Sequence, residues 1–252
     1  MSIIDIMQRL YDEEPSDDLL ANGFEVDKNF NYEISLATLD VNNKTQSKKL
    51  DKEMGKYRIL NSPLFNTCHD KVFSYTKKIF KDILKDLAKA KSKVLIAGLG
   101  NEKIQADAFG SMCVDLLRLK KNMYAIKPDV FQNTNIMACD IIDGVCKVIN
   151  PDLVVVIDSL GTYNIKRLAC SFQISNVGIL PGGALHSKNK IISQKTLGIP
   201  CLVIGVPLMV FSKGLDKSLD DFYGNLILTP KDVDDVVKNC ALMVSQVLYE
   251  VF

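Results

Sequence analysis

The run Leu153–Ile157 (LVVVI), followed at once by Asp158, constrains the fold more than any other stretch of the chain. Five apolar residues without polar alternation read as a strand buried on both faces, the mark of a parallel sheet covered by helices. Asp158 then stands at the carboxyl end of a central strand, where open α/β sheets place their ligands. Lys93–Gly98 (KVLIAG) repeats the pattern, and Ser171–Ile174 and Leu202–Val206 (LVIGV) are further strands. Between them, Val72–Leu87 sets Val72, Tyr75, Ile79, Ile83 and Leu87 at helical spacing. Helices are also expected at Ala106–Leu119 and Ile141–Ile149, the latter stopped by Asn150-Pro151. A last helix, Val233–Tyr249, is opened by Thr229 as N-cap, Pro230 at the first helical position and Asp232 in the first turn. Strands alternating with helices predict a three-layer α/β domain with a mainly parallel sheet.

The first 66 residues differ: they are rich in Asp, Asn, Lys and Ser. Tyr32–Leu39 alternates, with Ile34, Leu36 and Thr38 on one strand face, and Lys56–Leu60 reads as a second short strand. Asn42–Lys52 between them reads as a polar loop. The division expected is a mobile arm over residues 1–31 and one α/β domain over 32–252, the latter including a peripheral strand-containing extension.

Charge and cysteine usage narrow the function classes. Lys+Arg 31 against Asp+Glu 30 leaves +1, so no global basic field is available to hold a nucleic acid. The longest apolar runs fall far short of the roughly 20 residues of a membrane span. The opening MSIIDIMQRLYDEEPSDD turns acidic and carries no signal-peptide pattern, so a cytoplasmic protein without a membrane partner is expected. Seven widely spaced cysteines without a CxxC read as reduced core thiols rather than a disulfide or zinc framework. Only two histidines, His69 and His186, are present.

Gly98-Leu99-Gly100-Asn101 follows a strand, but the dinucleotide pattern needs glycine where Lys103 stands, and no Walker motif exists. No nucleotide cofactor is expected, and the glycines read as a sharp turn at the sheet's carboxyl edge. Asp107 and Asp158 are the two carboxylates that stand out. Each also has a plain structural reading, a charge at a helix start for Asp107 and a strand-end cap for Asp158. If they converge, one holds a proton as general acid while the other activates water. Pro181–Lys190 (PGGALHSKNK) is either a solvated turn or a wall that binds an extended substrate.

Five ordered segments together resemble the germination protease of endospore-forming bacteria. They are VLIAGLGNEKIQADAFG (94–110), NPDLVVVIDSLGTYNIKRLACSFQISNVGI (150–179), PGGALHSKNK (181–190), TLGIPCLVIGVPLMV (196–210) and LILTPKDVDDVV (226–237). The resemblance implies an endopeptidase of small acid-soluble spore proteins, acting in the spore core without metal or cofactor. Its fold would be phosphorylase/hydrolase-like, as in hydrogenase maturation proteases. The family's two essential aspartates fall on Asp107 and Asp158, and Asn101, Gly182, Gly183, His186 and Lys188 would contact the substrate. A homotetramer is implied, as is a zymogen, with Asp17–Gly23 a loose counterpart of the processing sequence near Leu20. The family's His-Pro-Gly-Ser-Gly loop reads Leu180-Pro181-Gly182-Gly183 here. Two other readings stay open: a catalytically altered sporulation paralogue that binds a protein partner, and a metal-dependent protease of the hydrogenase-maturation type using His186.

Overall fold

The computed structural model describes residues 23–62, 70–89, 92–163, 165–182, 190–212 and 226–252. Nine strands form one sheet: β1 (Phe24–Asp27), β2 (Ser35–Val41), β3 (Gly55–Asn61), β4 (Val94–Gly98), β5 (Met123–Ile126), β6 (Leu153–Thr162), β7 (Ser171–Ser175), β8 (Cys201–Phe211) and β9 (Ile227–Leu228). Their order is β1-β2-β3-β7-β8-β6-β4-β5, with β9 paired to β8. Strands β5, β4, β6 and β8 are mutually parallel and make the core of the sheet. The remaining strands join antiparallel, so the sheet is mixed around a parallel centre. β7 must run antiparallel because the chain between β6 and β7 is far too short for a crossover of a dozen or more residues. The N-terminal strands, expected as a peripheral layer, extend the same sheet through β3 and β7.

β6 is longer than its apolar run. It continues to Thr162 because β8 accompanies it that far, across a register shift between Leu160 and Gly161. Asp158 therefore lies within the strand, paired with Gly205, rather than just past its end. β4, on the other side, stops at Gly98 opposite Ile157. Asp158 is thus the first β6 residue beyond the β4 ladder.

Helices cover both faces. On one side pack α2 (Asp70–Ala88), α3 (Phe109–Asp115) and α7 (Val233–Val251), while α1 (Lys44–Leu50) sets Leu50 against the other face, over β2 and β3. Phe80, Leu84, Phe109, Cys113, Val237 and Val244 meet Ile96, Val155, Ile157 and Ile204 on the first side. Full burial of each such side chain stabilises by about 1.5–3 kcal/mol. Phe80 also contacts Phe172, ring centroids 4.8 Å apart. The buried stripe of α2 runs through Val72, Thr76, Phe80, Leu84 and Leu87, leaving Tyr75 and Ile79 at its margin. Thr76 is tolerated there because its hydroxyl bonds that of Ser62 at 2.8 Å. On the opposite face α5 (Ala138–Ile149) lays Ile142 and Cys146 over Leu95, Val156 and Val203. Asn150 ends it in the left-handed region, φ 51°. Two one-turn helices, α4 (Phe131–Thr134) and α6 (Gln194–Leu197), are the remaining α-helices among the described residues. A third cluster of Phe24, Leu39, Val41, Tyr57 and Ile59 anchors the N-terminal strands.

Three local expectations are corrected. Asn42–Lys52 is not all loop: Asn43 caps α1, its side-chain oxygen accepting from the Gln46 N–H at 2.9 Å. The helix expected over Ala106–Leu119 splits into a 3-10 turn, Gln105–Asp107, and the short α3. Thr229 and Pro230 do not open α7, because Ile227–Leu228 pair with β8 and hold the chain extended just before them. The helix starts at Val233 behind Asp232, which makes no side-chain cap.

Cys113, Cys139, Cys146, Cys201 and Cys240 are free and buried, and Cys170 is half-buried. Burial pushes the thiol of Cys146 up to about 11 and that of Cys201 to about 12. Cys68 lies outside the described residues. No helix among the described residues is long and apolar enough to cross a membrane.

Candidate active site

The chain leaves β4 through α3 to reach β5 on one side, then returns through α5, on the opposite face, to β6 on the other side. The carboxyl ends of β4 and β6 therefore border a topological switch point, where open sheets form a crevice. The loop Leu99–Ile104 and the turn Gln105–Asp107 sit there.

Glycine lets three backbones close around that crevice. A Cβ on Gly98 would lie 2.1 Å from the carbonyl oxygen of Gly110. One on Gly110 would lie 2.4 Å from that of Leu99 and 2.5 Å from that of Ile157. Gly100, at φ +108°, presses on the Asp107 carbonyl, 1.8 Å from its own missing Cβ. Residues 107–110 are thereby clamped against the ends of β4 and β6, one residue from Asp158. The Leu99 N–H completes the join by donating to the Ile157 carbonyl at 2.8 Å.

Asp107 is half-buried, and its Oδ2 accepts a hydrogen bond from the Asn101 backbone N–H at 2.7 Å. The Asn101 side chain is turned to its own loop, its Oδ1 accepting from the Lys103 N–H at 3.0 Å. Lys127 braces this loop, reaching Glu102 at 2.7 Å and Asp115 at 2.9 Å. Asp158 is only 7% exposed.

The two carboxyls are perturbed unequally. Burial raises Asp107 above its ordinary value, and the Asn101 N–H offsets part of that rise. Burial raises Asp158 well above the usual carboxylate range; the neighbouring Asp107 charge adds to this, and the Ser159 N–H opposes it. A desolvated carboxyl beside a second carboxylate keeps its proton, while the more open one ionises first. The arrangement can present a protonated acid and an ionised base to one reacting group.

The germination protease family model matches residues 4–222. The chain belongs to the germination protease family. Its members are peptidases. The germination protease of Clostridium perfringens is 24% identical over 274 residues, covering 87% of this chain and 84% of that one. That of a Geobacillus species is 33% identical over 196 residues, covering 70% and 53%. Priestia megaterium germination protease is 36% identical over 143 residues, covering 51% and 39%. Among solved structures, a NiFe hydrogenase maturation protease from Thermococcus kodakarensis matches at 18% identity and a TM-score of 0.45, covering 67% of this chain and 97% of that one.

In this germination protease family member, Asn101 adjoins the carboxyl pair through its backbone. Gly182 is exposed at φ +61°, just after Leu180 and Pro181. Gly183, His186 and Lys188 lie outside the described residues. The far end of that loop is tied to the start of α5, Lys190 to Asp140 at 2.7 Å, on the carboxyl side of the sheet. Sequence reading passed over Gly110. Its only signal is a glycine inside Ala108-Phe109-Gly110, and its contacts are with the backbone of Leu99 and, far off along the chain, of Ile157.

Proposed function

We propose that this protein is an endopeptidase that degrades small acid-soluble spore proteins, with Asp107 and Asp158 activating water at the scissile bond. Family membership supports peptidase chemistry, and the unequal burial of the two carboxyls carries the assignment of roles. Asp107, held ionised by the Asn101 N–H, takes a proton from water as it attacks the carbonyl carbon. Asp158, holding its proton, donates it to the amide nitrogen as the carbon–nitrogen bond breaks. The proton taken by Asp107 then passes to Asp158, directly or through solvent, and the pair is reset.

The Pro181–Lys190 loop, with Gly182, Gly183, His186 and Lys188, forms one wall for the extended substrate. The working protein is a cytoplasmic homotetramer in the spore core, activated by trimming near Leu20. The substrate is tested by incubating the protein, as made and after limited N-terminal trimming, with a small acid-soluble spore protein and reading products by mass. Discrete fragments are expected. Stable binding with intact substrate would replace this reading by a binding paralogue.

A further inference from the structure

Strand β7 carries an unusual stripe. Ser171, Gln173 and Ser175 alternate along it, are at most 3% exposed, and share one face of the sheet. Among the described residues, none of their side-chain polar atoms has a hydrogen-bond partner: neither amide atom of Gln173, and neither serine hydroxyl. Buried polar atoms without partners are rare in folded proteins and call for a functional explanation. A fold that needed only packing here would place valine or leucine at position 173, as it does on β8 and β6.

Position decides what the stripe can serve. Gln173 pairs with Gly205, and Gly205 pairs with Asp158, so the three stand in one transverse row across β7, β8 and β6. In-register neighbours share a face, which puts the Gln173 amide on the same side of the sheet as the Asp158 carboxyl. The middle of the row has no side chain, and Leu160 from β6 lies over it, its Cδ1 2.5 Å from where a Gly205 Cβ would stand. Two strand spacings separate Gln173 from Asp158, about 10 Å, and an extended peptide covers that in about three residues.

We infer that Gln173, flanked by Ser171 and Ser175, is a peptide-binding subsite about three residues from the scissile bond. A primary amide offers one acceptor and a donor pair, the complement of a peptide's own N–H and C=O. Substrate reaches it by turning the Leu160 side chain off Gly205. The inference rests on the peptidase reading of Asp107 and Asp158. It assigns Gln173 to substrate binding rather than to the reacting atoms.

The test replaces Gln173 with methionine, which keeps length and removes both polar atoms, beside a Ser175→Ala variant. For a spore-protein substrate, Gln173→Met is expected to raise KM at least tenfold with kcat nearly kept, since a remote contact binds ground and transition states alike. Its melting temperature should equal or exceed that of wild type, because an unpartnered amide has been removed. Peptides truncated two residues from the cleaved bond on the side that reaches the stripe should be cut equally by both proteins. Ser175→Ala should shift KM in the same direction, by less, without loss of stability. Unchanged KM in Gln173→Met overturns the subsite, and so does a fall of several degrees in its melting temperature, the mark of a structural hydrogen bond. Wild type that cleaves nothing overturns the peptidase reading itself, a result distinct from either.

Discussion

The Asn101 backbone N–H donates to Asp107 Oδ2 at 2.7 Å, so one carboxyl of the pair is steadied by main chain while Asp158 is left buried beside it. The Ser159 N–H does the same for Asp158, so it is the deeper burial of Asp158 that breaks the symmetry between the two acids. The Asn101 bond favours the charged form of Asp107, and the charge so placed disfavours ionisation of Asp158.

Asp158→Asn should remove turnover and at the same time stabilise the fold at neutral pH. The carboxyl of Asp158 is raised in the folded state, so folding favours its protonated form. Its contribution is fully present below the ordinary carboxylate pKa of about 3.9 and is lost as pH rises through the raised folded value. A neutral amide of the same shape escapes that loss. Thermal melts from pH 4 to 8 should show the variant gaining on wild type as pH rises.

The rate should be bell-shaped in pH. Cleavage is expected to fail on the acid side as Asp107 is protonated and on the alkaline side as Asp158 ionises. Both limbs should lie above the range of an exposed carboxylate, since both groups are raised. The measurement is kcat/KM across pH 4 to 9 in buffers of constant ionic strength.

Asn101→Ala should keep most activity, because the group that meets Asp107 is a backbone N–H and every residue except proline has one. Asn101→Pro removes that donor and should cost at least tenfold in kcat. Equal losses in the two variants would mean that the side chain, not the main chain, serves the site.

Gly110→Ala should be among the most damaging single substitutions. Its new methyl would meet the backbone at Leu99 and Ile157, neither of which can yield cheaply. A destabilisation of about 3 kcal/mol, read from denaturant midpoints, is expected together with loss of cleavage.

The five buried thiols should be inert in the native protein. Alkylation at pH 8 followed by peptide mapping should leave Cys113, Cys139, Cys146, Cys201 and Cys240 unmodified, because burial raises each of them and keeps reagent out.

Much of the frame was legible because it rests on local pattern. LVVVI, KVLIAG and the stripe of α2 announce themselves by run and period, and Asn150-Pro151 marks a helix end by its own chemistry. Asp158 stood out because it directly follows an apolar run, and Asp107 because it lies between another such run and a helix start. What stayed hidden depends on partners distant along the chain. The length of β6 is set by β8, and the antiparallel sense of β7 by a short connection. β5 is a four-residue edge strand with one fully buried residue, too little for an apolar signature. The tie to Asp107 passes through an N–H that leaves no trace in residue identity. The clamp at Gly110 and the row Gln173–Gly205–Asp158 exist only once the sheet is assembled.

The most direct test of the central claim compares wild type, Asp107→Asn and Asp158→Asn on one small acid-soluble spore protein, with fragments read by mass and folding checked by circular dichroism. Discrete fragments from wild type, with none from either folded variant, are the expected result. Substantial cleavage by either folded variant would contradict the account and remove the aspartate pair from the chemistry.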